Sequence, residues 1–329
     1  MRPRVFSGAR PTGKQHIGNY LGAIQNYVSL QAEYDCIYCV VDLHALTTLT
    51  DTGNLRENIR EMALDWLAAG LDPERSIIFV QSHVPEVTEL HLLFSMVTPM
   101  GRLVRVPTFK EKVRQHPDNV NYGLLGYPVL QAADILLYKA TIVPVGEDQL
   151  SHLELTREIA RRFNNIYAPV FPEPQAQLTS FPLVLGIDGR QKMSKSLDNH
   201  IELSATAAET QKRAAAMATD PARVRRTDPG HPEVCNVFRL HGFYSQDRVK
   251  QIEEDCRGAA IGCVECKRLL ANNLNASLAP LRERRVQFAA KPSLVDDVLF
   301  DGARRARAIA RQTIAEARDA VNLPPMPPC

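Results

Sequence analysis

No run of about 18 apolar residues occurs in the 329-residue sequence, so a transmembrane helix is not expected. Charge of one sign is missing too. Lys and Arg number 39 against 37 Asp and Glu, a formal net charge of +2, so bulk charge cannot hold nucleic acid. Only local groups could: Arg223, Arg225 and Arg226, then Arg282, Arg284 and Arg285. Met1-Arg2-Pro3-Arg4 run at once into a strand pattern with no apolar signal core, so a cytoplasmic location and no membrane partner are expected. Seven cysteines without such a signal point to a reducing compartment. No internal repeat is found. Tryptophan occurs once, at Trp66, on the core side of a helical pattern.

What is present alternates. Apolar runs at residues 5–7, 37–41, 77–81 and 142–145 are separated by amphipathic stretches, which predicts a parallel α/β sheet. Tyr20, Leu21, Ile24, Tyr27 and Val28 recur at helical spacing. Leu55, Ile59, Met62, Ala63, Trp66 and Leu67 do the same, with Gly70 as the C-cap. Cys36 and Cys39 stand three apart in a strand run, face opposite sides and read as core. Beyond residue 196 only helical patterns remain. Thr206-x-x-Glu209 is a capping box, Pro221 and Pro229 bound a loop, and residues 293–321 form one long amphipathic stretch. The expected division is 1–196 for an α/β catalytic domain and 197–329 for an all-helical one, ending in a disordered Pro324-Pro325-Met326-Pro327-Pro328-Cys329 tail.

Two segments far apart carry the chemistry. The first is Phe6-Ser7-Gly8 followed by His16-Ile17-Gly18-Asn19, an apolar strand leading through Pro11 and Gly13 into a helix start. Free backbone N–H groups and the helix dipole favour phosphate there. The second, Lys192-Met193-Ser194-Lys195-Ser196, follows the loop Leu185-Gly186-Ile187-Asp188-Gly189 and brings two lysines able to close over a polyphosphate. Alone, these are a tight connection and a solvated loop. In this order they read as two halves of one ATP site. Residues 8–14 also fit the opening of a P-loop, but Gln15 stands where the Mg²⁺-ligating hydroxyl belongs.

The chain resembles bacterial tryptophanyl-tRNA synthetases over nearly its whole length. His16-Ile17-Gly18-Asn19 looks like their form of the class I HIGH signature, and residues 192–196 are a complete KMSKS. Between them, Val41-Asp42-Leu43-His44-Ala45, the run from Tyr127 through Gln131 and Asp134 to Tyr138, and Val143-Pro144-Val145-Gly146-Glu147-Asp148-Gln149 match the tryptophan branch. The resemblance implies a Rossmann-type catalytic domain, an inserted dimerisation segment and a helical anticodon-binding domain. It implies a homodimer that joins L-tryptophan to its tRNA using ATP and Mg²⁺. By the same resemblance, Lys112, Lys192 and Lys195 neutralise charge on the leaving pyrophosphate, and Gln149 with Tyr127 orients the amino acid. Arg10, His16, Gly18, Asn19, Gly146, Met193 and Ser194 lie against the nucleotide, and Asp148 meets the ribose. Phe6, Gly8, His44, Gln131, Val143 and Val145 wall the indole pocket, where Asp134 reads the indole N–H. The sequence departs at Gln131, where many members have Met, and at Arg10, where many have Gln.

The implied reaction suits these residues. The attacking amino-acid carboxylate is already ionised near neutral pH, so no general base is required. Alignment and neutralisation of charge on pyrophosphate remain. A buried acceptor such as Asp134 rejects side chains that bring no donor, because it would be left unpaired.

Cys235, Cys256, Cys263 and Cys266 give C-x20-C-x6-C-x2-C. Unrelated thiols, zinc and a [4Fe–4S] cluster are all open on spacing. Only one CxxC pair occurs among these four where zinc ribbons usually have two, and some members of the resembled family carry a [4Fe–4S] cluster at nearly this spacing, so the cluster is the first expectation and zinc the second. Three other functions stay open: a tyrosyl-tRNA synthetase, a small-molecule nucleotidyltransferase, and a catalytically dead fold that binds iron–sulfur or RNA.

Overall fold

The structure, a computed structural model, describes residues 2–115, 117–178 and 183–325, with the side chains of Gln115 and Asp148 outside that description. Its centre is a parallel sheet of five strands: β1 (Arg4–Ala9), β2 (Asp35–Val40), β3 (Ser76–Val80), β4 (Ile142–Val145) and β5 (Gln175–Leu178). Their order is β3-β2-β1-β4-β5. The chain steps outward from β1 to β3, then returns to the other side of β1. The crevice between β1 and β4 is therefore the topological switch point, where sheets of this kind bind ligands.

Period-two alternation sorts the strands into two cores. Val5, Cys36, Tyr38, Val40 and Ile78 face one cluster, Phe6, Ile37, Cys39, Ile77 and Phe79 the other. Cys36 and Cys39 are both fully buried on opposite faces, as their spacing predicts. Trp66 is 1% exposed in the first core. That core continues without a break into Val237, Leu240, Leu270 and Leu274 of the helical region, so the two regions share apolar packing. Gly70 ends the Leu55–Ala69 helix at φ 112, and Thr206 with Glu209 caps Ala207–Ala215 as a capping box. β5 was not expected: Gln-Ala-Gln-Leu has no alternation toward a buried face. Among the described residues no helix is long and apolar enough to cross a membrane. Cys329 and the end of the proline-rich tail lie outside the described residues.

The long C-terminal helix, Pro292–Ala320, returns to cover the β3 edge. Contact is so close that a Cβ on Gly302 would sit 1.9 Å from the Ile78 carbonyl oxygen. Arg305 Nη1 donates to the Pro73 carbonyl at 2.7 Å just before that edge. An uncovered strand edge invites foreign pairing, and this helix removes the invitation. Gly302→Ala should force the helix off the strand. Overpacking typically costs about 1–3 kcal/mol, and the upper end is expected where the obstacle is backbone. Chemical denaturation should show a lower midpoint with an unchanged slope.

Candidate active site

A cavity of about 480 Å³ opens at the switch point. Twelve of the residues expected at the site line it: Phe6, Gly8 and Arg10 from the end of β1, His44 after β2, Lys112, Tyr127, Gln131 and Asp134 from the intervening helices, and Val143, Val145, Gly146 and Gln149 around the end of β4. Asp148 belongs to the same 3₁₀ turn as Gln149, with its side chain outside the described residues.

Asp134 is 2% exposed and held by three close contacts. His44 Nε2 lies 2.9 Å from its Oδ2, and Gln81 Nε2 donates at 2.8 Å to each oxygen. Gln81 is itself oriented, because its Oε1 accepts from the N–H groups of Leu43 and His44 at 3.1 and 3.3 Å. A carboxylate has about four acceptor positions, so three contacts leave capacity for one more donor. Nearby, His152 Nε2 lies 3.0 Å from the Tyr127 hydroxyl and 2.6 Å from Thr108 Oγ1, while its Nδ1 is 2.9 Å from Gln149 Oε1. His152 thereby links Tyr127 to Gln149. Lys112 Nζ stands 3.5 Å from the centre of the Tyr127 ring, a cation–π contact.

Sequence reasoning missed Gln81, Thr108, His152 and Asn26. Gln81 and His152 act through other side chains, and nothing in a linear sequence marks such partners. Asn26 lines the cavity, and its Nδ2 is buried with no partner among the described residues. It reaches the cavity because the helix from Ile17 widens into a π-helical turn at Tyr20–Ile24 before Gln25–Leu30. Such turns gather at functional sites and leave no clear periodic trace.

The remaining expected residues gather beside the cavity, not in its lining. His16 caps Ile17–Asn19 by accepting the Asn19 N–H on Nδ1 at 3.2 Å, and Asn19 Oδ1 accepts the His16 N–H at 3.1 Å. Burial lowers the His16 pKa to about 4, helped by His200, Lys195 and Lys192, so the ring is neutral at pH 7. His16 pairs with Glu202 in an antiparallel bridge: Ile17 N–H donates to the Ile201 carbonyl at 3.0 Å and Leu203 N–H to the Gln15 carbonyl at 2.9 Å. Residues 192–196 form a loop based on the Leu185–Lys192 bridge. Asn199 Oδ1 accepts the Ser194 N–H at 2.7 Å. Met193 is 2% exposed, and a Cβ on Gly18 would lie 3.2 Å from its own Cβ, so its side chain anchors the loop to the helix start. Lys195 Nζ donates to the Thr12 carbonyl at 3.3 Å, while Lys192 is exposed.

The family model for class I tRNA synthetases of tryptophan and tyrosine (W and Y) matches residues 1–279. The chain belongs to this family. The Thermotoga maritima tryptophan–tRNA ligase is 51% identical over 97% of this chain and 99% of its own length; that of Aquifex aeolicus is 44% identical over 98% and 100%. A Campylobacter jejuni tryptophanyl-tRNA synthetase, solved with ADP and tryptophan, superposes with a TM-score of 0.89 at 35% identity, covering 97% of this chain and all of its own.

The four cysteines of this synthetase converge in the helical region. Arg223 Nη1 lies 3.9 Å from both Cys256 Sγ and Cys263 Sγ. A Cβ on Gly230 would sit 2.5 Å from Cys256 Sγ, so only glycine leaves that sulfur room. Burial pushes the Cys266 thiol up to about 12, and the other three sulfurs push in the same direction. Among the described residues, however, no three His, Cys, Asp or Glu stand close enough to grip a single ion. Two of the arginine groups also change character. Arg223 is buried against the sulfurs, whereas Arg225 and Arg226 are exposed. Arg282, Arg284 and Arg285 point inward: Arg282 donates to the Leu203 carbonyl, Arg284 to the Ala68 carbonyl, and Arg285 to Asp65 and Glu61.

Burial lowers Lys112 to about 8, with Arg10 adding to the effect. Its ammonium is charged below that pH and neutral above it. If its charge serves the phosphates, kcat/KM for tryptophan-dependent pyrophosphate exchange should fall as pH rises through about 8. Lys112→Arg, whose charge persists, should move that limb to higher pH. An unmoved limb would assign it to another group.

Proposed function

We propose that the switch-point cavity seats tryptophan with its indole N–H donated to Asp134 and its carboxylate turned toward residues 16–19 and 192–196. The reaction is that of the family: tryptophan and ATP form tryptophanyl-adenylate and pyrophosphate, and the amino acid then passes to its tRNA. Mg²⁺ accompanies ATP as expected for a class I synthetase. The observation that carries the substrate reading is Asp134, a buried acceptor with spare capacity, fixed from two sides by Gln81 and His44.

The activation step needs no proton removed from the nucleophile. His16, neutral at pH 7, suits a capping role that shapes the helix start rather than charge neutralisation. Lys195, Lys192 and Lys112 supply that positive charge, Lys195 from a loop already touching the turn before His16. Arg10, Gly18, Asn19, Gly146, Met193, Ser194 and Asp148 complete the nucleotide side, and Gln149 with Tyr127 orients the amino group through His152. Asp134→Ala should raise the KM for tryptophan by about 10- to 150-fold, since a hydrogen bond to a charged group is worth roughly 1.5–3 kcal/mol. Pyrophosphate exchange measured with each amino acid singly checks this. Unchanged tryptophan kinetics would remove the role, and exchange driven by tyrosine in the wild type would remove the substrate.

For the helical region we propose a [4Fe–4S] cluster held by Cys235, Cys256, Cys263 and Cys266, bracing the tRNA-binding side. Tetrahedral zinc with bonds of about 2.3 Å needs sulfurs roughly 3.8 Å apart. The cysteines face one another without forming such a grip among the described residues, so the preference for a cluster over zinc rests on their C-x20-C-x6-C-x2-C spacing. Arg223 would offset the negative charge of the thiolates, and Gly230 keeps their approach open. Protein purified anaerobically should be brown, with iron and sulfide in equal amounts. Cys263→Ser should weaken tRNA charging more than adenylate formation. Stoichiometric zinc without iron would refute the cluster. A homodimer is proposed from the exposed Leu92, Met96, Met100, Val104 and Tyr122, an apolar face on neighbouring segments; a native mass of one chain would overturn it.

A further inference from the structure

We infer that Asp65, Arg285 and Arg282 are positioning residues for adenylate formation: together they clamp the backbone of Gln15, the residue before His16, and so tie the ATP-site turn to the helical region.

Asp65 sits on the Leu55–Ala69 helix and is fully buried. Its Oδ2 accepts the Gln15 N–H at 2.6 Å, and its Oδ1 accepts Arg285 Nε at 2.6 Å. Arg285 comes from Cys263–Ala289, the long helix that also carries Cys263 and Cys266, and its Nη2 reaches Glu61. One turn earlier on the same helix, Arg282 Nε donates to the Leu203 carbonyl at 3.1 Å. Leu203 N–H in turn donates to the Gln15 carbonyl at 2.9 Å. Both polar groups of one peptide residue are thus held, one through Asp65 and the other through Leu203, and both lines end on arginines three residues apart. The Gln15 side chain adds a third tie, its Nε2 donating to the Gly13 carbonyl at 2.8 Å.

Simple packing does not require this arrangement. A carboxylate with no solvent exposure is costly unless paired, and apolar residues would fill the same seam more cheaply. What the charge adds is direction. A single carboxylate that must satisfy a guanidinium on one side and a backbone N–H on the other fixes the distance between them. The turn it fixes requires glycine, with Gly13 at φ 84, where any other residue would be strained. Displacing Gln15 would displace His16, the cap of the helix start, and Thr12, which Lys195 contacts. Misplacement of about 1 Å at such a site can cost on the order of 10²-fold in rate.

The inference rests on the synthetase reading of residues 16–19. The test is tryptophan-dependent pyrophosphate exchange, tryptophan binding and melting temperature on the full chain. Asp65→Asn keeps shape but can serve only one of the two donors. Arg285→Lys keeps charge but loses the fork that spans Asp65 and Glu61. Glu61→Gln removes the charge of the outer contact and leaves Asp65 on Gln15. Asp65→Asn should lower kcat about 10- to 100-fold with tryptophan affinity within about twofold of wild type. Arg285→Lys should fall between, and Glu61→Gln should keep wild-type kcat. If Asp65→Asn does not fold, Arg285→Lys against Glu61→Gln carries the same comparison. Wild-type kcat in folded Asp65→Asn or Arg285→Lys would overturn the clamp, as would losses in all three variants that simply follow their melting temperatures. Absence of exchange in the wild type would instead overturn the synthetase reading.

Discussion

The join between the helix start at residues 16–19 and the loop at 192–196 depends on two backbone hydrogen bonds across His16 and Glu202. They join segments nearly 190 residues apart in sequence. Without them the helix start and the lysine loop would be two separate surfaces. With them, Met193 is buried beneath Gly18 and Lys195 is placed against Thr12. A bridge of two bonds is weak by itself, so its neighbours matter. The continuous apolar core beneath it and the arginines at its flank supply what the bridge lacks.

The switch-point cavity is built differently. Its polar groups hold one another: Gln81 and His44 on Asp134, and His152 between Tyr127 and Gln149. Such a network is worth having only when every member is satisfied. Orientation travels inward from the backbone, since the Leu43 and His44 N–H groups decide which end of Gln81 faces the carboxylate. The orientation of the Asp134 carboxylate is thereby set partly by Gln81, which does not line the cavity.

Much of the sheet was legible. Four of five strands, the Gly70 cap, the Thr206 capping box and the opposed burial of Cys36 and Cys39 follow from local periodicity and turn chemistry. β5 was not, because its residues are half-exposed and carry no alternation. Arg282, Arg284 and Arg285 read as surface because arginine usually is; only the tertiary seam reveals that carbonyls and a buried carboxylate await them. The cavity residues foreseen from family likeness do gather at one crevice, whereas Gln81, His152 and Asn26 needed the fold, and in the last case an irregular helical turn, to be seen.

The close approach of Gly302 to β3 also bears on how the chain is made. During synthesis, the strands and most helices emerge before the Pro292–Ala320 helix exists. Until then the β3 edge has no cover, and the contact of Arg305 with Pro73 that helps seat the helix spans 232 positions. Contacts so distant in sequence form late and slowly. A sheet assembled before that helix arrives leaves the β3 margin open, and chaperones or rapid completion would then guard it against pairing with another chain.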